Sequence, residues 1–259
     1  MTSIGETRQR SRILEQFSRL APQYAALHSK MHDDAVRRLL AATHVTENDT
    51  VLDVACGTGQ LALAFTEVAN RVTGTDVTPA MIERAQKLQV EAGVENVHWV
   101  VGDAYHLPFA EGEFSIVTGR YALHHMLDPA AAVAEMTRVC APDGRVALVD
   151  VVTTDEKTAA FNSMERLRDP SHVRALTLEE LVNLARSNGL KDPKCDFYQY
   201  EIELETLLKG SSPAPGDEEK VRQLIVQDID RNELGVGIHR SGTEIVVSYP
   251  IAIVTAARV

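Results

Sequence analysis

Residues 51–62, VLDVACGTGQLA, decide the fold. The apolar run around Asp53 predicts a buried strand, and the glycines at 57 and 59 predict a tight turn that opens a helix. A strand that passes through such a turn into a helix aims backbone N–H groups at the space above the carboxyl end of the strand. Gly57-x-Gly59-x-x-Ala62 also fits the dinucleotide fingerprint. The glycines alone therefore do not decide which ligand binds there.

Short apolar runs alternate with amphipathic stretches after this segment, which is typical of βαβ units and a parallel sheet. The predicted strands are residues 51–55, 72–75, 97–101, 114–118 and 146–152. The predicted helices between them are 58–69, a helix opened by Thr78 and Pro79, and a helix from Asp128 to about Val139. The sequence therefore predicts an α/β fold with a Rossmann-like, doubly wound sheet.

The flanking regions follow a looser pattern. Residues 1–44 carry apolar stripes at helical spacing, interrupted near Pro22, and predict covering helices. Beyond residue 152 we expect a strand at 195–202, a helix at 217–232 and a final strand at 251–256. No linker divides the chain, so we expect a single domain over 1–259. Its parts are a helical lid (1–45), a cofactor-binding core (46–152) and a substrate cover with the last strands (153–259).

Composition limits the partners that this chain is expected to have. Its 259 residues are 44% apolar and 24% charged, so a sizeable core can form. Its 26 basic and 37 acidic residues give a net charge of −11, which disfavours nucleic acid as a partner. Three scattered cysteines without a CxxC pair favour a reducing, cytoplasmic setting. No segment approaches 18 apolar residues, and we expect no membrane insertion.

Acidic residues mark the ends of three successive predicted strands. They are Asp53, Asp76 and Asp103. Asp76 suits ribose hydroxyls, and Asp103 suits an adenine amino group. A carboxylate at Asp53 would repel the pyrophosphate of a dinucleotide, whereas S-adenosylmethionine carries an ammonium and a sulfonium and no phosphate. The acids therefore favour S-adenosylmethionine over NAD.

Five segments carry a family resemblance, namely VLDVACGTGQLAL, GTDVTPAMIERA, VGDAYHLPF, RYALHHMLDP and RVCAPDGRVALVD. They resemble successive motifs of the class I S-adenosylmethionine-dependent methyltransferases, in the branch that contains the ubiquinone and menaquinone biosynthesis enzymes and related small-molecule methyltransferases. The resemblance is strong over residues 50–152 and weaker in FSRLAPQY, RDPSHVRALTLEE and YPIAIVTAAR. It implies a seven-stranded sheet whose last strand is antiparallel beside the fifth. The cofactor contacts that it implies are Asp53, Gly57, Thr58, Gly59, Asp76, Val77, Met81, Asp103, Ala104 and Arg120.

His125 and Tyr24 are the candidate catalytic residues. His125 follows the fourth strand, where a base or an orienting group is needed, and only one of the adjacent His124 and His125 can face a pocket. The alternative for His125 is a structural histidine that supports the cofactor loop. Tyr24 matches the aromatic residue of the family's N-terminal helix, and its alternative role is a simple lid contact. His28 and His32 have metal-like spacing but lack a third ligand, so we predict no metal site.

These observations predict an S-adenosylmethionine-dependent methyltransferase. Its expected substrate is a small, aromatic metabolite of secondary metabolism, methylated on carbon, oxygen or nitrogen. Two alternatives remain at this point, an NAD-dependent oxidoreductase and a non-catalytic S-adenosylmethionine-binding protein. The sequence leaves the acceptor atom and the oligomeric state open, with a homodimer as one option.

Overall fold

A mixed sheet is the scaffold of the molecule. The computed structural model describes residues 4–28 and 32–259, and side chains for 5–22 and 34–259. The strands are β1 Thr50–Val54, β2 Arg71–Asp76, β3 Val97–Val101, β4 Phe114–Arg120, β5 Cys140–Thr153, β6 Leu176–Thr177, β7 Leu190–Glu203, β8 Gly237–Ser241 and β9 Glu244–Arg258. The helices are α1 Ile4–His28, α2 His32–Thr43, α3 Gln60–Phe65, α4 Pro79–Ala92, α5 Pro129–Val139, α6 Thr158–Arg168, α7 Leu178–Ser187, α8 Leu204–Lys209 and α9 Asp217–Gln227. A 3-10 turn spans Leu123–His125.

The strand order confirms the predicted doubly wound α/β fold. Across the described residues the main order is β3-β2-β1-β4-β5-β9-β7, and β1 to β5 are parallel. β9 is antiparallel and lies between β5 and β7, so the predicted position of the last strand is confirmed. The order reverses between β1 and β4, and such a reversal opens a crevice at the carboxyl ends of the strands.

The predicted number of seven strands is wrong, because the described sheet has nine. β9 begins at Glu244 rather than at 251, and its first half extends far enough to pair with β8 in a hairpin. β6 has only two residues, which pair with the end of β5. Neither short strand has an apolar pattern of its own, since pairing with a neighbour is what makes each one a strand.

The predicted interruption near Pro22 is also wrong, because α1 continues through this proline to His28. Proline lacks an N–H and removes one helical hydrogen bond. Its ring is exposed on α1, whereas the neighbouring Leu20 and Ala21 are buried. Packing of that buried face supports the helix across the missing bond.

Trp99 on β3 joins the glycine turn to the sheet. Its indole is buried, and its Nε1 donates to Oε1 of Gln89 at 2.8 Å. A Cβ on Gly59 would lie 2.3 Å from Cη2 of Trp99, and a Cβ on Gly74 would lie 2.4 Å from Cζ3. Both glycines are needed because the indole occupies the space that a side chain would fill.

We expect Gly74→Ala to lower the free energy of unfolding by about 1–3 kcal/mol, because overpacking forces the indole or the strand to shift. Urea denaturation of Gly74→Ala, Trp99→Phe and the double variant measures the effect. The smaller ring should reduce the cost of the added methyl group, so the two effects should not be additive. Additive costs would show that the indole does not set this constraint.

Candidate active site

A cavity of about 650 Å³ opens at the carboxyl ends of the central strands. One wall comes from α1, through residues that include Gln9, Ile13 and Phe17. Another wall comes from the segment that follows β4, up to Ala131. The cavity lies where the strand order reverses, which is the position expected for ligands of open α/β sheets.

The turn between β1 and α3 uses left-handed backbone conformations at three residues. The φ angles are 55° at Ala55, 54° at Gly57 and 80° at Gly59. A Cβ on Gly57 would meet no atom within 4 Å, so this glycine leaves open space beside the cavity. Ala55 has a side chain that disfavours this conformation, and strain of this kind is concentrated at functional sites.

Asp76, the last residue of β2, holds the turn in place. Its Oδ2 accepts the N–H of Gly57 at 2.9 Å, and its Oδ1 accepts the N–H of Thr78 at 2.8 Å. Burial raises the pKa of this carboxyl, although the two backbone hydrogen bonds oppose the shift. Each carboxylate oxygen has a further lone pair, so Asp76 can still accept hydrogen bonds from a ligand.

Asp53 is almost fully buried at the end of β1 and lines the same cavity. Its Oδ2 has no hydrogen-bond partner among the described residues. Burial raises the pKa of Asp53 to about 7; Arg120 and a backbone hydrogen bond from Ala62 oppose this shift, and Asp76 adds to it. A buried carboxylate oxygen without a hydrogen-bond partner is costly, so Oδ2 is suited to a cationic ligand.

Arg120, the last residue of β4, brings a positive charge to the cavity. Its Nη1 is buried and has no partner in the part of the chain that the structure describes. Its Cζ lies 5.2 Å from the ring centroid of Tyr121. The hydroxyl of Tyr121 lies 2.5 Å from that of Tyr198 on β7, which joins this wall to the far edge of the sheet. The arrangement places a cation and an aromatic ring side by side.

Asp103 connects the turn after β3 to α1. Its Oδ2 accepts from Nη1 of Arg10 at 3.0 Å, and its Oδ1 accepts the N–H of Tyr105 at 3.0 Å. The side chains of Arg10 and Asp103 are 53% and 29% exposed, so this ion pair contributes little to stability. This contact joins α1 to the acidic residue that follows β3.

His125 faces the cavity, and His124 does not. Nδ1 of His125 lies 3.1 Å from Oγ of Ser171. Burial, and next the neighbouring His124, lower the pKa of His125 to about 4. His124 instead places its Nδ1 2.5 Å from Oδ1 of Asp150. Burial alone would lower the pKa of His124, but Asp150 reverses the direction and raises it.

Comparison with known proteins identifies the family. A family model described as a methyltransferase domain matches residues 52–148. The uncharacterized methyltransferase YcgJ of Bacillus subtilis is 35% identical over 199 residues, which cover 75% of this chain and 79% of YcgJ. The crystal structure of YcgJ matches with a TM-score of 0.79 at 30% identity, over 88% of this chain and 99% of that one. The chain belongs to the class I S-adenosylmethionine-dependent methyltransferases.

The names of two further relatives state a substrate. The chloroplastic 2-phytyl-1,4-β-naphthoquinone methyltransferase of Arabidopsis thaliana is 30% identical over 155 residues, which are 56% of this chain and 59% of that protein. The 27-O-demethylrifamycin SV methyltransferase of Amycolatopsis mediterranei is 29% identical over 168 residues, 63% of this chain and 62% of that protein. This chain therefore spans 59% and 62% of the length of these relatives.

Membership of this family confirms the predicted enzyme and its cofactor, S-adenosylmethionine. The NAD-dependent oxidoreductase and the non-catalytic binding protein are both set aside. In the described residues of this methyltransferase, none of the helices combines the length and the hydropathy that crossing a membrane requires. No cluster of three metal-ligating side chains occurs in the same part of the chain.

The cavity brings together all but one of the predicted cofactor contacts. Those that line it are Asp53, Gly57, Thr58, Asp76, Val77, Met81, Asp103, Ala104 and Arg120. Gly59 lies below the turn against Trp99 instead. The predicted catalytic residue Tyr24 lies outside the residues whose side chains the structure describes, as do His28 and His32.

Several residues at the site escaped the sequence interpretation. Gln9 donates from Nε2 to the carbonyl oxygens of His125 at 2.8 Å and of Ser171 at 2.6 Å. Arg10 and Asp169 also belong to this group, through their contacts with Asp103 and Ser171. In the sequence, the segment RDPSHVR carries only a weak resemblance to the family. Its polar residues carry no pattern that assigns them to a site until the fold brings them beside His125.

The substitution Asp53→Asn tests whether burial raises the pKa of this carboxyl. Because the folded carboxyl holds its proton more tightly than the unfolded one, wild-type stability should fall as the pH rises from about 4 to 7. Asp53→Asn removes this titration. The free energy of unfolding of Asp53→Asn minus that of wild type should therefore increase by about 1–4 kcal/mol as the pH rises from about 4 to 7.

Urea denaturation at several pH values measures this difference, and Asp155→Asn on the exposed surface is the matched control. Parallel stability curves for wild type and Asp53→Asn would contradict the raised pKa.

Proposed function

We propose that this methyltransferase methylates a small aromatic metabolite inside the cavity between α1 and the carboxyl ends of the strands. One observation carries the proposal: the residues that line the cavity include an acidic part and an aromatic and apolar part. The acidic part contains Asp53 and Asp76, and the aromatic part contains Phe17 and Tyr121. A cavity of about 650 Å³ is in the size range of small-molecule sites.

The acidic part fits S-adenosylmethionine. The unpartnered Oδ2 of Asp53 is suited to the cofactor's ammonium, because that charge would offset a buried carboxylate. Asp76 is assigned to the ribose hydroxyls and Asp103 to the adenine amino group. The open space at Gly57 lets the ligand approach the backbone closely. When bound, S-adenosylmethionine supplies the methyl group on its sulfonium.

Arg120 is assigned to the carboxylate of the cofactor. Its buried Nη1 lacks a partner in the described residues, and a guanidinium is the side chain best suited to a carboxylate. The remaining assigned contacts, Thr58, Val77, Met81 and Ala104, line the walls between these charged groups. Their role in the proposal is to shape the cavity around the bound cofactor.

The aromatic part supports the substrate class. Phe17 meets the ring of His125 edge to face, with centroids 5.2 Å apart. Tyr121 and Met126 also line the cavity, as does His125. Flat ligands are well held by such surfaces, because ring faces and edges attract each other. His125 is assigned the role of base or orienting group, and Tyr24 that of a capping aromatic.

The names of the two relatives from Arabidopsis thaliana and Amycolatopsis mediterranei support a small-molecule substrate. One methylates a naphthoquinone and the other a rifamycin, by their names. By analogy we assign this enzyme to secondary or quinone metabolism, and its acceptor atom to carbon, oxygen or nitrogen. A direct assay with a panel of acceptors tests this assignment.

Cofactor binding should depend on pH through Asp53. The ammonium of the cofactor favours the ionised carboxylate, so binding should release a proton and tighten as the pH rises. We expect about a tenfold gain in affinity between pH 5.5 and 7, where the α-ammonium of the ligand, with a pKa of about 8, stays charged.

Calorimetry in two buffers of different ionisation enthalpy measures both quantities. Asp53→Asn should bind more weakly at pH 7 and release no proton, whereas Asp155→Asn should behave like wild type. If Asp53→Asn released as many protons on binding as wild type does, Asp53 would not be the residue that binds the ammonium group.

Aromatic acceptors should be methylated in preference to saturated ones. Labelled S-adenosylmethionine is incubated with phenols, quinols, indoles and amines, and with a cyclohexyl analogue of each productive acceptor. We expect at least about tenfold higher kcat/KM for the aromatic member of a pair, which corresponds to ~1.4 kcal/mol. Equal or better turnover of saturated acceptors would overturn the substrate class and leave the cofactor assignment intact.

A further inference from the structure

A buried hydrogen-bond relay supports His125 on the side away from the cavity. Oγ of Ser171 lies 3.1 Å from Nδ1 of His125 and 2.6 Å from Oδ1 of Asp169. All three residues are buried, and Ser171 has no exposed surface. Asp169 and Ser171 follow α6, far along the chain from the 3-10 turn that carries His125. Tertiary structure alone therefore forms the relay.

The number of available protons determines which group donates in each of these hydrogen bonds. A serine hydroxyl has one proton, and an ionised carboxylate can only accept. Burial alone would raise the pKa of Asp169, but His125 in its protonated form, the charge of Arg168 and the hydrogen bonds from Ser171 hold this pKa below its usual value. Ser171 therefore donates to Asp169, and its oxygen accepts from Nδ1–H of His125. A neutral imidazole has one N–H, which leaves Nε2 without a proton.

The opposite tautomer conflicts with the same geometry. A bare Nδ1 would take the proton of Ser171. Oγ of Ser171 and Oδ1 of Asp169 would then lie 2.6 Å apart without a proton between them. Oxygens reach this distance in O–H···O⁻ bonds, where a proton is shared.

We propose that Ser171 and Asp169 are positioning residues that fix the Nδ1–H tautomer of His125 and present its unprotonated Nε2 to the cavity as a proton acceptor. This inference rests on the proposed function, because it assigns His125 its role in methyl transfer. It also narrows the substrate to acceptors in which a base removes a proton from an O–H or N–H group, namely hydroxyl and N–H compounds. Such an acceptor becomes a better nucleophile when a base takes its proton.

The step balances with the groups available. A bond forms between the acceptor oxygen or nitrogen and the methyl carbon, while the sulfur–carbon bond breaks and its electron pair stays on sulfur. The proton of the acceptor moves to Nε2 of His125, which becomes an imidazolium. The product leaves methylated, and His125 then returns the proton to water.

The surroundings of the ring set its charge. Burial and His124 keep His125 neutral at pH 7, which is the form that accepts a proton. Once His125 is charged, the Asp169 carboxylate lies one hydroxyl away and stabilises it. The other titratable groups near the ring are partnered: His124 with Asp150, His172 with Asn162, and Glu165 with Arg168.

Residues of α1 contact both segments that form the relay. Nε2 of Gln9 donates to the carbonyl oxygens of both His125 and Ser171, so one side chain bridges the two segments. The ring of Phe17 contacts the His125 ring edge to face. These contacts restrict the rotation of the imidazole, and a fixed orientation is what a general base needs.

The tautomer of His125 is measured directly by two-bond ¹⁵N–¹H correlation NMR on the full chain with ¹⁵N-labelled histidine. The His125 signals are assigned from their absence in His125→Gln. We expect the Nδ1–H tautomer in wild type, and in Ser171→Ala and Asp169→Asn a shift toward the Nε2–H form. A wild-type Nε2–H tautomer overturns the proposal, whether or not the variants fold.

The second measurement is kinetic. It uses the acceptor that wild type methylates best among the phenols, quinols, indoles and amines. Ser171→Ala and Asp169→Asn should lower kcat by about 10- to 100-fold, within the range of general-base effects, and leave the Kd of S-adenosylmethionine within about twofold. Ser163→Ala, on an exposed part of α6, is the matched control and should keep wild-type kcat. A wild-type kcat in Ser171→Ala also overturns the proposal.

The two levels of inference fail separately. If no acceptor is methylated but His125 has the Nδ1–H tautomer, the proposed substrate class fails and the geometry of the relay stands. If methylation occurs and the tautomer is Nε2–H, the relay fails and the proposed function stands.

Discussion

The buried carboxyl of Asp53 is the constraint on which the site depends. Parallel strands end at one edge of the sheet, so Asp53 on β1 lies close enough to Asp76 on β2 for the two charges to interact, and burial raises the pKa of both carboxyls. Hydrogen bonds from the turn satisfy Asp76, whereas Oδ2 of Asp53 has no partner among the described residues. Without a ligand, the folded protein therefore bears the free-energy cost of a buried carboxylate oxygen that has no partner. A cationic ligand would relieve this cost.

The glycine turn and the tryptophan beneath it make this arrangement rigid. Gly57 leaves room above the turn, while Gly59 and Gly74 leave room below it for the indole of Trp99. The N–H of Gly57 is bound to Asp76, which ties the turn to the end of β2. The packed indole and the hydrogen-bonded turn hold the acidic strand ends in one geometry, so little reorganisation is needed when a ligand binds.

α1 links the two parts of the cavity. Arg10 pairs with Asp103 in the acidic part, and Gln9 and Phe17 contact His125 or its neighbours in the aromatic part. These residues lie within three turns of one helix, at spacings that keep them on neighbouring faces. Movement of α1 would change both parts together. The helix is thus a physical connection between the proposed cofactor and substrate sites.

The sequence by itself determined the alternation of strands and helices, the acidic strand ends and the family, because these depend on local patterns and on the parallel order that such patterns impose. It missed β6 and β8, which are strands only through their partners, and it misjudged Pro22, where packing supports the helix. Only the tertiary structure brought Ser171 to His125, across 46 residues of chain. A hydrogen bond between distant segments depends on how they pack, and no local pattern of residues encodes that distance.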